Sequence, residues 1–133
     1  MKLAVDTNVV LRYLLADDLK QATTARKVMQ EAVLIAIALP VLCEVVWNLS
    51  RGYKLAGKEI ADAITVLIEA DNVEVDRGAV DAGLTMLRAS GDFADGVIAY
   101  ESLALGGEVF ATFDKKAVAI LKKHGSIRTR LLS

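Results

Sequence analysis

Two apolar stretches of this chain end on an aspartate. Leu3-Ala4-Val5 runs into Asp6, followed by Thr7-Asn8, and Val109-Phe110-Ala111-Thr112-Phe113 runs into Asp114. Short apolar runs bounded by polar residues are the mark of buried strands. A chain that alternates them with amphipathic stretches folds as a parallel sheet covered by helices on both faces. In such sheets ligands bind in the crevice beyond the carboxyl ends of the strands, so carboxylates placed there point to a cation site. Glu44, Asp92 and Asp95 are further acids that such a site would draw on.

The rest of the chain fits the alternation. After a strand over 2–6, the apolar segment 8–16 is expected to be a helix. Asp17 or Asp18 caps a second helix over 19–32, in which Ala22, Ala25, Val28, Met29 and Ala32 recur at three- and four-residue spacing. A strand over 33–38 leads to Pro40, suited to a first helical turn, and to a helix ending near Ser50 before Arg51-Gly52. A fourth helix spans 57–70, with Ile60, Ala63, Ile64, Leu67 and Ile68 on one side, and a brief strand covers 72–75. Helices follow over 78–88 and, after Ser90-Gly91, from Asp92 or Phe93 to Leu105, where Gly106-Gly107 ends the run. A strand over 108–113, a helix over 115–123 and a short last strand of open pairing within 125–133 complete the pattern. The expectation is one domain, residues 1–133, built as a three-layer α/β/α sandwich around a parallel sheet of four or five strands.

Each acid has a plain alternative. Asp6 and Asp114 follow strands, but both also precede helices, where an aspartate serves as an N-cap without any chemistry. Asp92 and Asp95 stand three apart at a helix start, a spacing that suits both a shared face and a capping arrangement. We assign Asp92 to the cap and Asp95 to the site. Glu44 lies among Val41, Leu42, Cys43, Val45, Val46 and Trp47, a setting in which a carboxylate is costly unless it is paired or bound to a cation. Trp47 and Cys43 are expected in the core, and His124, the only histidine, at a helix C-terminus where the dipole favours it. No P-loop or dinucleotide-binding glycine pattern is present, and a lone histidine leaves no Ser/His/Asp triad.

Composition narrows the partners. Formal charge is −1, but removing Asp6, Glu44, Asp95 and Asp114 moves it to +3, a surface that approaches a phosphate backbone once cations neutralise the acids. Apolar residues make up 54% of the chain, high for a small domain, which suggests a surface covered by a partner or a second copy. The longest apolar run, 32–43, contains Pro40 and is too short to span a bilayer. A single cysteine permits no internal disulfide, and no secretory leader is recognisable, so a reducing cytoplasm is the expected compartment.

The ordered segments Ala4-Val5-Asp6-Thr7-Asn8-Val9-Val10-Leu11, Leu42-Cys43-Glu44-Val45, Asp92-Phe93-Ala94-Asp95-Gly96-Val97-Ile98-Ala99 and Ala111-Thr112-Phe113-Asp114-Lys115 resemble the PIN-domain nucleases, above all their small VapC-type toxins. The resemblance implies Mg²⁺ or Mn²⁺ held by Asp6, Glu44, Asp95 and Asp114, with Asn8, Asp92 and Thr112 in support. It also implies an RNA substrate, a cognate antitoxin and a homodimer. Arg12, Arg51, Lys54, Lys115 and Lys116 are weaker candidates for phosphate contacts. A receiver-like signalling domain, also a small sheet with clustered aspartates, is the alternative, but it needs an acidic pair after the first strand. Asp6 is followed by Thr7-Asn8 instead. A PIN-like module acting through protein contacts alone is the other alternative. The retained set of acids speaks against it.

Overall fold

A computed structural model describes all 133 residues. The order of elements is β1 (Lys2–Ala4), α1 (Thr7–Leu14), α2 (Leu19–Glu31), β2 (Leu34–Ala36), α3 (Leu39–Arg51), α4 (Gly57–Ile68), β3 (Val73–Glu74), α5 (Arg77–Arg88), α6 (Phe93–Ala104), β4 (Val109–Thr112), α7 (Lys115–His124) and β5 (Arg128–Leu131). This is an α/β chain of seven helices in which every strand pair is parallel. Backbone hydrogen bonds join the five strands as two ladders, β1–β2–β3 and β4–β5. Every expected element is present. The strands are shorter than their apolar runs; β1 ends before Asp6 and β4 before Asp114, which cap the helices that follow.

The chain divides into two compact units, Met1–Leu55 with Asp62–Val75, and Ala56–Ala61 with Asp76–Ser133. In the first, β2 is the middle strand, with Lys2, Leu3 and Ala4 opposite Leu34, Ile35 and Ala36, and Ile35 and Ala36 opposite Val73 and Glu74. Ile35 is fully buried, as are Val10, Leu42 and Val45 from the helices. The side chain of Asn72 donates to the carbonyls of Met29 and Ala32 at 2.8 and 3.0 Å, which fastens the approach to β3 onto the end of α2. The Arg12 guanidinium donates to Asp17 at 2.8 Å and the Tyr53 hydroxyl donates to the other oxygen of Asp17 at 2.8 Å. The Tyr53 hydrogen bond first, and then Arg12, hold the Asp17 carboxyl below the usual carboxylate range.

In the second unit the segment 125–133 resolves its open pairing. Arg128–Leu131 lies parallel to β4, with Val109, Phe110, Ala111 and Thr112 opposite Arg128, Thr129, Arg130 and Leu131. One face of this ladder packs through Phe110 on a core of Met86, Ala99, Ala117, Ile120, Leu121 and Ile127. Helices α5 and α6 meet closely. The fully buried ring of Phe93 lies where a Cβ on Gly83 would stand 2.6 Å from it, and a Cβ on Gly96 would stand 2.4 Å from the Ala82 carbonyl oxygen. Backbone cannot retreat as a side chain can. Gly96→Ala should therefore cost about 1–3 kcal/mol by overpacking, read as a lower urea midpoint with an unchanged m-value. No loss of stability would mean that α5 and α6 pack less tightly than this.

No helix is long and apolar enough to cross a membrane.

Candidate functional site

In the second unit, two aspartates act electrostatically on a third. Asp92 is the N-cap of α6, accepting from the Ala94 N–H at 2.9 Å, and Asp114 is the N-cap of α7, accepting from the Lys116 and Ala117 N–H groups at 2.9 and 3.2 Å. Asp95 lies in the first turn of α6, half-buried. Burial first, then the negative charges of Asp92 and Asp114, push its carboxyl above the ordinary aspartate range. The Asp92 and Asp114 bonds use Oδ1 in each case, and Oδ2 takes no part in the cap. The Thr112 hydroxyl Oγ1 accepts the Asp114 N–H at 3.0 Å and fixes the chain between β4 and α7.

Phe93 explains why this turn stands where it does. With Phe93 anchored against Gly83 and Gly96 against Ala82, the start of α6 is fixed on α5, and the two acids at positions 92 and 95 are carried with it. Neither contact can be read from the α6 sequence alone, since each depends on a small residue of α5.

In the first unit, Asp6 caps α1 by accepting from the Val9 N–H at 3.1 Å. Asp6, Asn8 and Arg12 line a cleft of about 510 Å³ beside α1 and α2, together with Asp18, Lys20 and Thr24. The charge of Arg12 is already engaged by Asp17 in the pairing described above.

Glu44 departs from the sequence reading. The buried positions of α3 are Leu42, Val45, Val46 and Leu49, so Glu44 falls on the exposed side and escapes the burial cost inferred from its apolar neighbours. Its backbone carbonyl accepts from the Asn48 side chain at 2.8 Å. Trp47 is corrected likewise: it is 61% exposed, not core, because it lies one turn on from Glu44 along the same side. Cys43 is half-buried. Arg51, Lys54, Lys115 and Lys116 are exposed, and His124 ends α7 with Lys122 and Lys123 in its last turn.

The donors are all oxygen, the chemistry of hard divalent cations. A cation would also relieve the like-charge field on Asp95, so the acids at 92, 95 and 114 suit one electrostatically. Within neither unit do three or more histidine, cysteine, aspartate or glutamate side chains gather closely enough to enclose a metal ion by themselves.

Compared with known families, the chain matches the PIN domain over residues 3–123. No curated protein matches it.

Proposed function

The chain belongs to the PIN domain family, and on that premise we propose that it is a metal-dependent endoribonuclease, the toxin of a toxin–antitoxin pair inhibited by a cognate antitoxin. PIN domains are generally nucleases and typically use divalent metals. The family match leaves no place for the receiver-like alternative. The observation that carries the proposal is Asp95: a half-buried carboxylate in the first turn of α6 set against the charges of Asp92 and Asp114, a repulsion that a bound cation would relieve.

In this reading residues 1–133 work as one domain. Asp6, Glu44, Asp95 and Asp114 serve the metal, each carried over at its own motif position, with Asn8, Asp92 and Thr112 in support. A bound Mg²⁺ or Mn²⁺ supplies Lewis acidity to the scissile phosphate and lowers the pKa of the attacking water. The chain's carboxylates hold and orient, while Thr112 and the caps of α6 and α7 keep them from swinging away. Water adds to phosphorus, the bond to the 3′ oxygen breaks, and a 5′-phosphate and a 3′-hydroxyl result. Arg51 and Lys115 contact phosphates of the bound strand. Exposed apolar side chains of α6 such as Ile98 and Leu103, with Leu105 just past its end, support a covered surface on the second unit, in keeping with an antitoxin and a homodimer in the cytoplasm.

The test is cleavage of varied RNAs by the purified protein, freed of any copurifying partner, with Mg²⁺ or Mn²⁺. EDTA should abolish cleavage, either metal should restore it, and Asp6→Asn should lower it by at least about tenfold. Wild-type inactivity with both metals, or cleavage indifferent to EDTA, would overturn the proposal.

A further inference from the structure

We infer that Phe113 is a stacking platform for an unpaired base of the substrate, set beside Asp114, and so a specificity-determining contact. The inference rests on the nuclease reading.

Phe113, one residue past the end of β4, is 73% exposed, whereas Phe110 within the strand packs on the core of its unit. Phe113 forgoes most of the hydrophobic stabilisation that a buried phenylalanine supplies. Yet its backbone is held from both sides. Thr112 Oγ1 accepts the Asp114 N–H, and Asp114 Oδ1 accepts two N–H groups of α7, so the ring springs from a fixed point one residue from a site acid.

The charges nearby are those a nucleic acid strand requires. Lys115 and Lys116 follow directly and are exposed. Arg130, also exposed, stands opposite Ala111 in the β4–β5 register, on the ladder face turned away from Phe110, while Arg128 at the other end of that face lies 4.0 Å from the Glu108 carboxylate. An aromatic face with cations beside it is the common means of gripping single strands, because every base has a π-face and every linkage a negative charge. A duplex keeps its bases stacked on one another and cannot offer one to the ring, so the occupant is single-stranded RNA.

The experiment uses the full chain and a fluorescent unstructured oligoribonucleotide. Anisotropy measures binding in Ca²⁺, an oxygen-seeking cation that neutralises the acids, and cleavage in Mg²⁺ gives kcat and KM. Phe113→Ala and Phe113→Leu should weaken binding and raise KM by about 5- to 100-fold, the range of one lost base stack, with kcat within about twofold of wild type. Phe113→Trp should restore both to within about threefold. Melting temperatures should be unchanged, since the ring packs on little. Leucine binding as well as phenylalanine, or no effect of alanine, overturns the inference and leaves the nuclease reading intact, marking Phe113 as a surface for something other than RNA. Binding that depends on Phe113 without any cleavage overturns the nuclease reading alone. A wild type that does not bind RNA overturns both.

Discussion

The Asp95→Asn variant melts above the wild type at neutral pH while cleaving RNA at least about a hundredfold more slowly. Losing a group that merely orients a metal ligand typically costs 10- to 100-fold, and a ligand itself should cost no less. The stability change has the opposite sign for a physical reason. The folded-state pKa of Asp95 is raised, by burial first and then by Asp92 and Asp114, so the fold favours the protonated acid. Its stabilising contribution is complete below the unfolded value near 3.8 and is lost as pH rises through the folded value. At pH 7 the ionised group opposes folding. Asparagine removes that opposition, for an expected gain of about 1–4 °C, kept small because Asp95 is only half-buried and solvent screens part of the repulsion. The gap between variant and wild type should close as pH falls toward 4. Saturating Mg²⁺ should raise the wild-type melting temperature and leave the variant nearly unmoved, since only a state that binds the ion gains from it. A variant that is less stable than wild type at pH 7 would show that Asp95 is a structural acid.

Phe93→Ala is expected to be the most destabilising single change, at about 3–5 kcal/mol. The ring is fully buried and fills the space that Gly83 leaves on α5, and an alanine there leaves a cavity that two packed helices cannot easily close. Against a total stability on the order of 5–15 kcal/mol, such a loss brings the fold near its threshold. Because Phe93 is flanked by Asp92 and followed two residues later by Asp95, activity should fall with stability. Phe93→Leu should recover most of both, with a residual cost below about 1.5 kcal/mol. Urea unfolding of the two variants decides the matter, and a cost below about 1 kcal/mol for alanine would refute the anchoring role.

The alternation of elements is legible because each strand is a short apolar run and each helix carries a periodic face or a capping aspartate. Asp18, Asp76, Asp92 and Asp114 all cap helices in the way their residue type suggests. The weak signal is β5, whose Arg-Thr-Arg-Leu has too little apolar alternation to announce a strand and gains its order from pairing with β4. Glu44 and Trp47 are misread for a different reason. In an almost wholly apolar helix, composition does not say which side is buried, and only the phase of Leu42, Val45, Val46 and Leu49 does. The close approach of α6 to α5 is not legible at all from one segment, because Gly83 and Ala82 lie ten or more residues before the residues they accommodate.

The helix caps of Asp6, Asp92 and Asp114 carry a thermodynamic implication for ion binding. Each carboxylate is immobilised by one oxygen when its helix forms, with or without a cation. The rotamer entropy of the donors, roughly 1 kcal/mol for each side chain, is therefore surrendered during folding instead of at the moment of capture. Preorganised donors raise affinity without adding a single contact. Asparagine, which caps helices as well as aspartate does, retains this rigidity while deleting the charge, whereas alanine would forfeit both.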